Sequence, residues 1–272
     1  MTSNPQLTDT NALRLHRARA RRDRLFLQES AADEIQDRLG VVNRGFTDVA
    51  VVAPFPEVWQ KRLPNAVIVP DDKTLALQPG TYDLVVHSMS LHWANDPVGQ
   101  LIQCRRSLRP DGLMIAATLA GQTLQELRSA LGEAEIEKTG GLSPRVAPMG
   151  EIRDLGALLQ RAGFALPVAD SIDLNVEYQD ALNLMRDLRD MGETNALSHR
   201  QKRCPPRQLF ARMAQIYRQN FAAGQDRVKA TYEMVFLTGW APDDSQPQPL
   251  RPGSAKQRLS EALKVPEVPL RD

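Results

Sequence analysis

The apolar positions of this chain fall into short β-branched runs separated by helical stripes. Four runs are compact and bounded by turn residues: Asp48–Ala53 (DVAVVA), Ala66–Val69 (AVIV), Tyr82–Val86 (YDLVV) and Leu113–Thr118 (LMIAAT). Runs of this kind predict strands buried on both faces. Pro54 and Pro56 close the first and Pro70 the second, because proline removes the donor a ladder needs. Around them the spacing predicts helices over Arg24–Leu39, Asp96–Leu108, Gln122–Lys138 and Gly150–Ala162. Gly40 reads as the stop of the first and Gly163 as the cap of the fourth. Gly80 marks a turn, as does Pro110-Asp111-Gly112. Further along, Ile172–Tyr178 alternates as a strand. Helices are predicted over Gln179–Met191 and Pro206–Gln219, and Val228–Leu237 reads as a late strand.

Strands alternating with helices predict an α/β fold, a mainly parallel Rossmann-like sheet covered on both faces. The late strand breaks the helix rhythm and predicts an antiparallel edge strand, with extra helices in the C-terminal half. Three segments follow: a basic N-terminal stretch (1–24), the main domain (25–240) and a proline-rich tail (241–272). The tail's proline, glutamine, serine and charge predict mobility.

The 272 residues are 42% hydrophobic and 25% charged, with a net charge of +1. That balance builds an ordinary core and gives no reason to expect nucleic acid as the main partner. No stretch approaches the roughly 20 apolar residues of a membrane span. Cys104 and Cys204 form no CxxC pair and no zinc spacing, which suits a reducing compartment, with a single disulfide left open. The arginines at 14, 17, 19, 21, 22 and 24 resemble an organelle presequence, but Asp9 and Asp23 intrude. A solvated basic helix face, or a contact for an acidic partner, is the preferred reading. The compartment is then cytoplasmic, or the mitochondrial matrix if this stretch is a presequence.

One segment carries most of the chemistry. Tyr82-Asp83-Leu84-Val85-Val86-His87-Ser88-Met89-Ser90-Leu91-His92-Trp93-Ala94-Asn95-Asp96-Pro97, followed by Leu108-Arg109-Pro110-Asp111-Gly112-Leu113, resembles the central strand, loop, helix and next strand of class I methyltransferases. Leu91-His92-Trp93 narrows the resemblance to malonyl-carrier-protein methyltransferases and the complex I (NADH dehydrogenase) assembly factor 5 family. Four further segments are similar to the assembly factors: Gly121–Arg128 (GQTLQELR), Gly140–Pro148 (GGLSPRVAP), Asp154–Phe164 (DLGALLQRAGF) and Met185–Asn195 (MRDLRDMGETN). The resemblance spans Phe26 to Trp240. It implies a nominal methyltransferase with S-adenosylmethionine as cofactor. It also implies a role in maturing respiratory NADH dehydrogenase, whose subunits are the expected protein partner. There the animal member acts as an arginine hydroxylase.

The chain departs from the family at the first strand. A methyltransferase needs glycines there, so that backbone N–H groups can approach the cofactor without a Cβ in the way. Here Val49–Glu57 contains none. Ala53, Pro54, Phe55 and Pro56 stand in their place, two of them without an N–H. The acid that normally binds the ribose lies about 20 residues past the glycines. Asp71 and Asp72 are the candidates, though their spacing to Asp83 implies that a strand–helix piece has been lost or shortened; as turn residues they need no ligand.

The candidate site therefore lies past the end of the Asp83 strand, where open α/β sheets gather ligands. His87 and His92 are candidate bases, His87 and Ser88 candidate cofactor contacts, and Ser90, His92 and Trp93 candidate substrate or partner contacts. Against this, Leu91 and Trp93 also suit helix docking. Ser143 and Arg145 could orient an acidic group or form a surface turn. No metal site is expected, since His87 and His92 lack a carboxylate at ligand spacing. Arg105, Arg106 and Arg109 suit a helix C-terminus. Two functions follow: a non-catalytic assembly factor working through a protein partner, or an active methyltransferase or arginine hydroxylase using the loop after the Asp83 strand.

Overall fold

The computed structural model describes residues 6–247, 253 and 257–265. The chain divides into two compact units, Met1–Pro242 and Asp243–Asp272. In the second, Asp243 accepts from Ser245, and a short helix occupies Leu259–Leu263. Much of the proline-rich stretch predicted to be mobile lies outside the described residues.

The first unit is built on one seven-stranded sheet. In chain order its strands are β1 (Val49–Val52), β2 (Val67–Val69), β3 (Tyr82–Ser88), β4 (Leu108–Ala120), β5 (Ala165–Tyr178), β6 (Ala222–Ala223) and β7 (Arg227–Trp240). The spatial order is β2-β1-β3-β4-β7-β5, with β6 pairing β7. β1 runs parallel to β2 and β3, β3 runs parallel to β4, and β7 runs antiparallel to both β4 and β5.

The helices are α1 (Thr10–Ala18), α2 (Phe26–Val41), α3 (Pro56–Gln60), α4 (Pro97–Ser107), α5 (Gln125–Thr139), α6 (Ile152–Ala162), α7 (Ala181–Asp190) and α8 (Arg207–Asn220). One sheet face packs on α2, α3, α5, α7 and α8 through Ile35, Trp59, Leu127, Leu184 and Tyr217. The other packs on α4 and α6 through Leu101, Cys104 and Leu159. Both cysteines are free thiols.

The internal parallel strands β1, β3 and β4 read as largely apolar runs because they are covered twice, while β2 at the edge leaves Val67 exposed. Asp83 is an exception with a local reason. Its carboxylate accepts from the amides of Thr47 (2.8 Å) and Asp48 (3.0 Å), which pins the start of β1 beside β3.

Several expectations are corrected. The late strand is antiparallel but lies one place in from the edge. Ala230, Tyr232 and Met234–Leu237 are buried, which suits an internal strand, while half-exposed β5 takes the edge. Pro110-Asp111-Gly112, expected as a turn ahead of the Leu113–Thr118 strand, lies inside β4, which begins at Leu108. Tyr82 pairs with Leu108 and Leu84 with Leu113, so the turn is absorbed as a bulge with Asp111 at positive φ. Gly40 does not stop α2, which runs on to Val41. Beyond β2 no further strand lies on that side among the described residues. A doubly wound sheet usually carries another there, so the shortened spacing before Asp83 corresponds to a missing strand.

Candidate functional site

The sheet reverses its winding between β1 and β3, and the crevice outside the C-terminal ends of these strands is where such folds bind ligands. In this protein the chain itself fills much of that space. After β1, the Ala53 amide bonds the Val69 carbonyl at 3.0 Å, and Pro54 and Pro56 have no amide. Pro56 starts α3, a position that proline favours. Phe55 is buried under the Arg22 guanidinium, 4.9 Å from its ring centre, and Trp59 is driven into the core. A glycine-lined backbone cradle is absent from this turn.

At the end of β2 the expected ribose acid has another partner. Asp71 accepts from Nη1 of Arg17 at 2.9 and 2.7 Å. Both side chains are largely buried, at 12% and 14% exposure. Asp72 is exposed. Five of the six N-terminal arginines are exposed, Arg22 among them although it pairs with Glu57 and covers Phe55, and Arg17 is the one largely buried.

At the end of β3 the chain makes a tight descent. Met89 takes positive φ, and Leu91–Trp93 forms a single 3-10 turn with Leu91 and Trp93 buried. The turn divides the two histidines. His87 points toward α4, where Nε2 meets Gln100 Oε1 at 2.8 Å. Gln100 in turn donates to the carbonyls of Asp71 and Asp72, tying together the ends of β2, β3 and α4. Burial pushes the His87 imidazole below its ordinary range despite Gln100 and the charge of Asp71. Its Nδ1 has no hydrogen-bond partner.

His92 belongs to a different cluster. Its Nε2 lies 3.2 Å from Glu193 Oε2, its Nδ1 lies 3.4 Å from Thr118 Oγ1, and the Trp93 indole donates to the same Glu193 oxygen at 2.7 Å. The pattern suits a proton on Nε2, with Thr118 donating to Nδ1. Burial pushes the Glu193 carboxyl up, but His92, Arg17 and the Trp93 N–H outweigh it and hold it below its ordinary range. The result is a carboxylate-backed imidazole, an arrangement that orients a general base.

Ser88 and Ser90 are buried beside this cluster in sequence, and neither hydroxyl has a partner. Ser143 and Arg145 flank Pro144, whose carbonyl accepts from Asn195 Nδ2 at 2.8 Å. Both are gripped by Glu135 of α5, through the Ser143 amide (3.0 Å), the Ser143 hydroxyl (2.5 Å) and Arg145 Nη2 (2.6 Å). They line a depression of about 300 Å³ with Arg128 and Leu142. Among the described residues no group of three or more His, Cys, Asp or Glu side chains could hold a metal ion.

Arg17, Gln100, Thr118 and Glu193 are crevice residues that sequence reasoning did not single out. Glu193 lies within the quoted Met185–Asn195 segment, which was the available signal. Arg17 had none beyond its place in a basic stretch.

Parallel strands around a switch point, with the descent after β3 lining the crevice, define a methyltransferase-type domain, and residues 40–116 match the "Methyltransferase domain" family. The domain has the class I methyltransferase architecture, and the chain is similar to the NDUFAF5 arginine hydroxylases. It is 38% identical over 206 residues to "Arginine-hydroxylase NDUFAF5, mitochondrial" of Homo sapiens, covering 76% of this chain and 59% of that protein. The same protein of Danio rerio is 37% identical over 203 residues, covering 75% of this chain and 63% of the relative. The chain thus spans about three fifths of these relatives' length. A malonyl-[acyl-carrier protein] O-methyltransferase of Laribacter hongkongensis is 36% identical over 177 residues, covering 65% of this chain and 57% of that enzyme.

Proposed function

We propose that this protein acts in the assembly of respiratory NADH dehydrogenase by binding a protein partner, and that it has given up the grip on S-adenosylmethionine. The observation that supports this most is the filled crevice. A proline-stiffened turn replaces the glycine loop, and Arg17 takes the carboxylate that would meet a ribose. Its homology to NDUFAF5 proteins points to the same pathway, and the site of action follows the partner: mitochondrial for those relatives, cytoplasmic where the respiratory chain is bacterial.

A second reading is favoured by a specific feature. The name of the relatives is arginine hydroxylase, and the buried Glu193–His92 pair is a proton-handling group without an evident need in a pure scaffold. On this reading His92, Trp93 and Ser90 would face the arginine of the partner.

Calorimetry tests the first reading. A folded sample titrated with S-adenosylmethionine to millimolar concentration gives no binding heat; a micromolar dissociation constant overturns the proposal. Co-purification then names the partner, and mass spectrometry of that partner separates the readings, since hydroxylation adds one oxygen to an arginine.

A further inference from the structure

The positive charge of this chain is concentrated in two stretches far apart in sequence. Residues 1–24 carry six arginines against Asp9 and Asp23, and residues 199–207 carry Arg200, Lys202, Arg203 and Arg207 with no acid. The whole chain has a net charge of +1, so the rest of it is net acidic. Charge gathered in this way gives the surface a field with direction.

The fold brings the two stretches together. Thr8 bridges Leu197, the Ser198 amide donates to the Leu7 carbonyl at 2.9 Å, and Arg200 pairs at 3.0 Å with Asp9, the cap of α1. Further along the helix, His16 Nδ1 lies 3.1 Å from the Thr194 carbonyl, and Arg17 makes its buried pair with Asp71. Helix α1 is therefore fixed along its length, and its outer side is a preformed surface. Thr10, Asn11, Arg14, Leu15, Ala18 and Arg19 are exposed, which is the spacing of one helical face. Lys202 and Arg203 are exposed on the adjoining loop. The Ala12 amide and Arg200 hold the Asp9 carboxyl below its ordinary range, and Lys202 is near enough to add to them. Burial lowers His16, and Arg200 and Arg19 add to that.

The ion pairs of this region belong to Arg17, Arg21, Arg22, Arg24 and Arg200. Among the described residues Arg14, Arg19, Lys202 and Arg203 make none. Leu15, 47% exposed, lies on the same face as Arg14 and Arg19. An anionic membrane is a poorer match for this surface. Interfacial helices insert a broad apolar face, whereas Ala12 and Leu13 of α1 are already buried with Trp93, Ala147, Ala196 and Leu197. Nucleic acid calls for aromatic side chains on which bases stack, and the outer face of α1 has none.

We propose that this face docks an acidic segment of the protein partner, with Arg14, Arg19, Lys202 and Arg203 receiving its carboxylates and Leu15 an apolar side chain. This rests on the partner-binding reading above and adds the chemistry by which the partner is recognised.

The test uses the full chain and two short amidated peptides, one of glutamate and leucine and the other with lysine in place of glutamate. Fluorescence anisotropy should show binding of the glutamate peptide alone, weakening between about 0.02 and 0.15 M salt. Arg14→Glu combined with Lys202→Glu should weaken it about tenfold or more. Arg153→Glu combined with Arg161→Glu on α6, an equal change of charge elsewhere, should weaken it less than about twofold. The milder pair Arg14→Gln and Arg19→Gln should weaken it about threefold, which keeps the test open should the reversed variant fold poorly. Amide shifts caused by the peptide should cluster in Arg14–Arg19 and Ser198–Arg203. Vesicles of phosphatidylcholine and phosphatidylserine should not retain the chain at about 0.15 M salt. An equal loss from the α6 control, equal affinity for the lysine peptide, or vesicle retention that Arg14→Glu with Lys202→Glu abolishes would overturn the proposal. No arm uses the native partner, so failure here is distinguishable from failure of the assembly reading, which co-purification decides.

Discussion

Glu193 is the residue whose removal tests the crevice most directly. Its carboxylate accepts from the Trp93 indole at 2.7 Å and faces His92 Nε2 at 3.2 Å, with the side chain 7% exposed. Truncation to alanine leaves the buried Trp93 N–H without an acceptor, which costs about 1–3 kcal/mol. It also removes a charge-assisted bond to His92, worth about 1.5 kcal/mol or more. The sum for Glu193→Ala is about 2.5–4.5 kcal/mol. In a domain of this size each kcal/mol lowers Tm by about 2–4 °C, so a fall of about 5–18 °C is expected. Glu193→Gln keeps an acceptor for the indole and should cost about half as much. Urea titration followed by fluorescence and circular dichroism measures both, and coincident curves establish two-state unfolding. A double-mutant cycle with Trp93→Phe should give a coupling of about 1 kcal/mol or more. A cost for Glu193→Ala below about 0.5 kcal/mol, or additivity with Trp93→Phe, would refute the buried network. The sign with pH is also set. The folded carboxyl is lowered from its ordinary 4.5, so its contribution is full above that value and is lost as pH falls through the folded pKa.

Two further outcomes are expected. Trp59 is fully buried on a helix of five residues, so Trp59→Ala should cost about 3–5 kcal/mol and loosen the turn that replaces the glycine loop; a chemical-denaturation midpoint close to that of the parent chain would refute its anchoring role. His87 is lowered from 6.5 by burial, and the half-buried His16 shifts the same way. Stability should therefore be full above pH 6.5 and decline below it, by up to about 1.4 kcal/mol per pH unit for the buried histidine. A urea series from pH 7.5 to 5 reads this slope, and His87→Gln should flatten it.

The sequence by itself determined the elements whose causes are local. DVAVVA and YDLVV became strands because an apolar run suits a strand covered on both faces, and AVIV formed the edge strand, with Val67 exposed. Asp96 before Pro97 placed the start of α4, where its carboxylate caps the Gly99 amide at 2.8 Å. The missing glycines told on the crevice at once, since no fold restores an amide that proline lacks. What only the tertiary structure decided were the pairings across long separations. Arg17 meets Asp71 across 54 residues and His92 meets Glu193 across 101. A carboxylate's partner is set by which loops the sheet brings together, and no spacing along the chain encodes that. The same holds for β7, whose insertion between β4 and β5 follows from where its two apolar faces find cover. Arg17 looked like one more solvated arginine until the fold laid α1 across the crevice.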